Sequence, residues 1–446
     1  MTKTLDFKHI KGKTKRGLRY LIFKDTNTLY TSVYIIIRAG AMFGKKPGLA
    51  HFLEHCFLGL STKTKTKERR LKETEIKGIY KNASTSYDLI TYYLDAPYNQ
   101  IKYVFETLKE DFTQIKFDYK EVETERSIIK DEISKRNNNI FSILAQYELK
   151  DYFKKNTPYV NSILGTKKDL NNINIADLKE HYKLLNNQNM IFGISGNIKE
   201  KEVIRLIEDF SENIYLNKGK DYEIKTKFKK YKYAIPKRVV IKPSKLSNNT
   251  VFSISKLFKN THKPKNKEVA LKNLTIENVI SSIYVTAESS YLWRSLREKS
   301  GLVYGYWFDI WKQHYFSIAT ITLEVPPKNV NNVLNIFKKE TEKLLKANIS
   351  KKTLEYWKNH LKNKVMLSTG EHKKILYSLV RNYYYNKFII TPKDIIKAQE
   401  KLNKTQVNKY IEKIRKDIQK DPIVGVFTGN TKNIKSVVIK KYLDIK

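Results

Sequence analysis

Cysteine is almost absent: Cys56 is the single one in 446 residues. That excludes an internal disulfide framework and fits a reducing compartment. Histidine is scarce as well, with 8 residues. Long apolar runs are missing. The longest, such as Val33–Ile37, fall far short of the roughly 20 residues that span a bilayer, so no membrane span is expected. The N-terminus, MTKTLDFKHIKGKTKRG, has no apolar h-region, and no secretory signal is expected. No RNA-recognition, zinc-finger or helix-turn-helix signature is present either.

Negative charge is in short supply. The 45 Asp and Glu face 86 Lys and Arg, a formal charge of +41. Such an excess points first to nucleic acid or an anionic surface as partner. A binding patch, however, would cluster its charge on one element. Here Lys far exceeds Arg and is spread evenly, together with abundant Asn, Ile and Tyr. This is the compositional bias of an AT-rich genome, and the expectation is a cytoplasmic bacterial protein without a nucleic-acid partner. Hydrophobic residues at 41% and aromatics at 12% suffice for a real core.

Period-2 patterns predict strands near Leu18–Phe23, Tyr30–Arg38, Tyr80–Ser84 and Ile90–Ala96. Helices are expected over Gly48–Leu58, through much of Asn99–Phe153, and over Ile175–Leu185, before the apolar run Met190–Ser195. The second half repeats the plan. Strands are expected at Arg238–Ile241, Thr250–Lys256, Val303–Ile310 and Tyr315–Leu323, and helices at Lys267–Ile283, Ser289–Lys299 and Thr405–Gln419. MIFGISGN ends at Asn197 and IVGVFTGN at Asn430, an offset of 233 residues that reads as an internal duplication. The expected domains are 1–216 and 238–446, joined by a Lys- and Tyr-rich linker at 217–237.

Residues 51–55 read His-Phe-Leu-Glu-His. On a helix, residues four apart share a face, so His51 and His55 can present imidazole nitrogens to one ion. Glu54 falls on the same side. Zinc acidifies a bound water towards pH ~7, and a neighbouring carboxylate that is not itself a ligand can take its proton. The pattern is HxxEH, the inverse of HExxH. A zinc hydrolase needs a third protein ligand. The acid-rich stretch Tyr119–Lys135 offers Glu121, Glu123, Glu125, Asp131 and Glu132. Glu125 and Glu132, seven apart, share a face, but spacing alone does not choose between Asp131 and Glu132. A plain acidic, solvated helix is the bland alternative.

With GLAHFLEHCFLG and 76 residues between His55 and Glu132, the chain resembles the pitrilysin/insulinase family of inverzincin peptidases, which includes the mitochondrial processing peptidase. The resemblance implies one Zn2+ per chain, held by His51, His55 and Glu132, with Glu54 activating water and Glu125 supporting the site from behind. It gives KNASTSYDLITYYLDA the role of a substrate edge, at which Asn82 and Ala83 hold an extended peptide. LREKSGLVY resembles the family's Arg/Tyr element: Arg297 binds a substrate carbonyl and Tyr304 donates to the developing oxyanion. Read without the family, Asn82 is a turn residue, Arg297 a surface charge and Tyr304 a half-buried strand residue. Cys56 stands where an apolar residue such as Met is more usual, and reads as a small buried side chain.

The implied fold is α+β, with two homologous domains, each an antiparallel-rich sheet packed by helices. The implied activity is zinc-dependent cleavage of short or unfolded peptides, in precursor processing or in degradation. A two-domain chain matches half of a four-domain clamshell. A homodimer is therefore expected, each zinc site completed by Arg297 and Tyr304 of the other copy; a heterodimer with a related subunit is the alternative. A noncatalytic subunit, or a basic protein that binds an anionic surface, needs none of the HxxEH chemistry.

Overall fold

The computed structural model describes residues 9–218, 233–259, 264–313, 316–369 and 372–445; the expected linker at 217–237 lies mostly outside them. The chain forms two compact units. The first comprises Met1–Lys135, Asn161–Lys227 and Thr369–Ile389, and the second Arg136–Val160, Phe228–Ser368 and Ile390–Lys446.

The first unit is built on a six-stranded sheet: β1 His9–Lys13, β2 Arg19–Lys24, β3 Tyr30–Ile37, β4 Tyr80–Thr85, β5 Ile90–Pro97 and β6 Met190–Gly196. Its order is β1-β2-β6-β3-β5-β4. All neighbours are antiparallel except β2 and β6. β6 is buried along its whole length, which is why MIFGISG is apolar without alternation. The second unit holds β7 Val239–Pro243, β8 Thr250–Lys259, β9 Trp307–Lys312, β10 Phe316–Val325 and β11 Val424–Gly429, ordered β7-β11-β8-β10-β9. Again the pair at one end, β7 and β11, is parallel and the rest antiparallel. Leaving β1 aside, the two sheets have the same order and the same strand senses. The architecture is α+β, as the sequence implied.

The repeat extends to the turns. β6 and β11 end in Gly196 and Gly429, at φ of 134° and 75°. A Cβ there would stand 2.3 Å from the carbonyl oxygen of Tyr30 or of Asn249. Glycine is thus required twice, at the same place in each copy. Matching capping boxes start two helices of each half: Thr166 with Asp169 and Asn174 with Asp177, then Thr391 with Asp394 and Asn403 with Gln406.

The units are not contiguous halves of the chain, and here the expected division at 1–216 and 238–446 needs refinement. The helix Ile140–Tyr152, from the first half, packs on β8 and β11 of the second sheet. Its Tyr152 hydroxyl lies 3.1 Å from Ser255 Oγ, and Thr320 Oγ1 donates to Glu148 at 3.1 Å. The helix His372–Asn386, from the second half, packs on β3 and β6 of the first. Gly193 makes that contact possible, because a Cβ there would stand 2.1 Å from Val380 Cγ2. Each sheet is completed by the corresponding helix of the other half.

Several elements depart from the sequence reading. β1 and the helix Lys67–Ile76 were not expected. The helix expected at 289–299 is one turn, Tyr291–Trp293, followed by a π-turn at Arg294–Glu298, in which the Lys299 N–H reaches the Arg294 carbonyl at 2.9 Å. The strand expected from Val303 begins only at Trp307.

Candidate metal centre

The helix α1, Leu49–Gly59, buries Leu49, Ala50, Phe52, Leu53, Cys56 and Phe57 in the core of the first unit. Cys56 is a buried apolar filler, its thiol pushed up by burial. That anchorage turns His51, Glu54 and His55 towards a second helix, Tyr119–Asn137 (α4 hereafter, with Lys67–Ile76 as α2 and Ile101–Thr113 as α3). α4 is held in place by polar contacts. Arg126 donates to the carbonyls of Leu170 and, at 2.9 Å, Ile173, and its guanidinium lies over the Phe52 ring at 5.0 Å. Glu121 accepts the Ser61 N–H at 2.7 Å, tying the end of α1 to the start of α4.

The result is a convergence of donors. Nε2 of His51 and Nε2 of His55 each lie 3.6 Å from the same Glu132 oxygen. Donor atoms of the three residues all fall within 4.8 Å of one another. Two ligands at 2.0–2.1 Å from a tetrahedral zinc stand about 3.4 Å apart, so this set fits one small divalent ion. Asp131, the alternative that spacing left open, is not among the grouped donors. The His51 side chain is 9% exposed and that of Glu132 45%, so the cluster opens on the Glu132 side.

Around the donors sits a supporting shell. His55 Nδ1 lies 3.1 Å from Glu125 Oε2, and Lys67, from α2, donates to the other Glu125 oxygen at 2.9 Å. Burial tends to raise Glu125, but His55 and Lys67 outweigh it and keep the carboxyl below its ordinary range. A carboxylate on Nδ1 fixes the ring and directs Nε2 to the cluster. With these partners His55 is pushed up to about 9: burial pulls it down, and the hydrogen bonds to Glu125 and Glu132 more than compensate. Gly59 leaves room for this arrangement, since a Cβ there would stand 2.1 Å from Glu125 Oε1.

Glu54 is buried and outside the donor set. Burial raises it above the usual carboxylate range; Thr85, donating at 2.5 Å, and His55 pull it back, and Glu132 pushes it up. A base held above its ordinary value is better matched to proton transfer near neutral pH.

Thr85 belongs to β4, the edge strand that also carries Asn82 and Ala83 and packs on α1. Asn82 Oδ1 accepts the Ala83 N–H at 2.7 Å, and Asn82 Nδ2 donates to Tyr80 Oη at 3.2 Å. Arg297 and Tyr304 lie together in the second unit. Arg297 donates to the Tyr304 carbonyl at 2.6 Å, and its guanidinium sits 4.9 Å from the rings of both Trp293 and Tyr304. Tyr304 is 90% exposed in a loop, not half-buried in a strand. Lys67, Thr85 and Gly59 were given no role in the sequence: Thr85 and Gly59 fall inside the segments that carry the resemblance, Lys67 has no such signal, and folding brings all three to the cluster.

Residues 19–167 match the family model described as insulinase (peptidase family M16), and residues 172–361 match the one described as peptidase M16 inactive domain. The chain belongs to peptidase family M16. This M16 chain is 28% identical over 213 residues to mitochondrial-processing peptidase subunit beta of Bos taurus, covering 46% of the chain and 42% of that protein. It is 26% identical over 231 residues to the probable zinc protease PqqL of Escherichia coli K12, covering 49% of the chain and 24% of that protein. The matched part thus spans under half the length of these curated relatives. Among solved structures, the first half of the periplasmic protease PqqL superposes with a TM-score of 0.78 at 17% identity, covering 99% of this chain and 98% of that one. A peptidase M16 inactive domain from Pseudomonas fluorescens gives 0.79 at 17% identity, over 94% and 98%. These likenesses establish the fold.

Proposed function

We propose that this M16 chain is a zinc-dependent endopeptidase that cleaves short or unfolded peptides, in precursor processing or in peptide degradation. The observation that carries the reading is the convergence of two imidazole Nε2 atoms on Glu132, with the buried Glu54 beside them but outside the donor set. Membership of a peptidase family and likeness to a protein named as a probable zinc protease support it. Zinc held by His51, His55 and Glu132 would polarise the scissile carbonyl and acidify the attacking water. Glu54 takes the proton from that water and passes it to the departing amine. Glu125 keeps His55 oriented. Asn82 and Ala83 on β4 align the peptide as an added strand.

Arg297 and Tyr304 would meet the substrate from a second copy of the chain, Arg297 on a carbonyl and Tyr304 on the oxyanion. The exposure of Tyr304 supports this, because a phenol so open to water needs a covering surface before it can act as an oxyanion donor. So does the match to full-length PqqL, where 99% of this chain covers 51% of that one. A heterodimer with a related subunit would serve equally.

Peptide cleavage by the purified chain tests the activity. Chelation should abolish turnover and added Zn2+ should restore it; turnover that persists after chelation overturns the reading. Mixing a Glu54→Gln chain with an Arg297→Ala chain tests completion between copies. Recovery of activity supports the homodimer, and no recovery at any ratio removes it.

A further inference from the structure

One face of the first sheet carries a row of tyrosines for which the chemistry above has no use. Cross-strand register sets Asn82 opposite Tyr93, and Tyr93 opposite Tyr34. Residues paired in this way share a face. Tyr34 and Tyr93 stack at 5.3 Å and 11°, and Tyr80 adds a ring 6.2 Å from Tyr93 at 47°. At the other end Tyr377, from the helix His372–Asn386, closes the row 5.9 Å from Tyr34. The row therefore starts under a helix and runs out to the sheet edge, where Tyr80 is 56% exposed and its hydroxyl is held by Asn82. The neighbouring carboxylate is already matched: Asp95 takes Lys373 at 2.7 Å and Ser32 at 2.5 Å. What this face offers is ring surface without net charge.

β4 has a strand on one side only, β5, and among the described residues nothing pairs with its outer edge. Its side chains alternate. Thr85 reaches Glu54 and Lys81 reaches the buried Asp111 on one face; Tyr80 and Asn82 are on the other.

We propose that Tyr80 and Tyr93 form a specificity subsite for an aromatic side chain of a peptide lying along β4. The inference rests on the peptidase reading, with β4 as its substrate edge. The register fixes the position. A peptide residue opposite Thr85 lies beside Glu54. The residue opposite Asn82 is three places further, about 10 Å along the strand, and its side chain falls on the tyrosine face. Offset or tilted packing on Tyr80 and Tyr93 then favours a planar ring there. The preferred substrate has an aromatic residue three places from the one beside Glu54.

The test is binding to the zinc-loaded Glu54→Gln chain. A single Phe is moved stepwise through fluorescently labelled, Ala-rich peptides, and Kd is read by anisotropy. One position should bind about fivefold tighter than its Ala counterpart, the scale of an aromatic pair. Tyr80→Ala should erase that preference, with its Phe peptides binding no tighter than its own all-Ala peptide, and Tyr80→Phe should keep it. Equal binding at every position overturns the subsite. So does an equal loss on Phe and Ala peptides in Tyr80→Ala, or a stronger preference for Arg than for Phe. The two readings fail separately. A peptide bound with aromatic preference that the wild-type chain never cleaves sinks the activity and leaves the subsite standing. Cleavage without aromatic preference sinks the subsite alone.

Discussion

After the second strand of the first repeat, β3, comes the helix LAHFLEHCFLG; after its counterpart β8 comes KEVALKNLTIENVIS, which has no histidine. The next difference lies further on. α4 carries Glu121, Glu123, Glu125 and Glu132, whereas the helix in the same place in the second half, Lys351–Ser368, has the single acid Glu355. Apart from β1, the frame is nonetheless kept in strand order, the one parallel pair, the Gly-Asn turns, two capping boxes and the exchanged helix. Two sequences solve one folding problem, and only one of them assembles a donor cluster among the described residues. The fold does not require the metal residues, so their presence in the first unit calls for a chemical reason.

The largest effects should divide the units by chemistry. Glu54→Gln should lower kcat for peptide cleavage by about a thousandfold with zinc content unchanged, whereas Glu355→Gln in the second unit should leave both as they are. An equal loss in the two variants would erase the contrast. Tyr304→Phe should lower kcat about a hundredfold, the scale of one lost oxyanion donor, with little change in zinc affinity; a loss confined to KM would make Tyr304 a binding residue only. Gly59→Ala should push Glu125 off His55 and weaken zinc binding by about tenfold, as losses behind a ligand do; competition with a coloured chelator measures this.

Smaller effects should show the units behaving alike. Gly196→Ala and Gly429→Ala should each cost about 1–3 kcal/mol in urea unfolding, because both force a side chain into a left-handed backbone and against a carbonyl. A large difference between them would mean that the repeated turn is not equally strained. Glu148, on the exchanged helix of the second unit, is raised by burial, with only the hydroxyls of Ser253, Thr320 and Ser255 drawing it down. Its folded-state pKa lies above the unfolded one, so its favourable contribution is complete in acid and is lost as pH rises through the folded value. Glu148→Gln should therefore raise Tm by a few degrees at pH 8 and by less at pH 5. The opposite order would show that the carboxylate is favourably paired.

Much of the frame was legible because its signals are local. β3, β5, β6 and α1 lie where alternation, an unbroken apolar run or helical spacing placed them, and the four-residue step from His51 to His55 needs only helix geometry. The third donor was different. The five acidic positions of that helix serve a solvated face as well as a site, and Glu132 was singled out by resemblance; the shared 3.6 Å distances supply its geometric basis. The exchanged helices were not legible at all. An amphipathic helix declares that it has an apolar face, not which sheet will cover it. The π-turn at Arg294–Glu298 escaped for a related reason: it is set by a hydrogen bond one residue longer than helical periodicity anticipates.

The reciprocal loan of helices makes the two halves mutually dependent. A single cut within 217–237 would leave one fragment whose sheet lacks Leu376, Leu379 and Val380 above Gly193, and another lacking Ile140, Leu144 and Tyr152. Each would also trail an apolar helix with nothing to lie on. Made separately, the fragments should be poorly soluble; made together, they should clasp into one particle without any covalent join. What looks like a two-domain protein is in this sense a domain-swapped pair whose partners happen to share a chain.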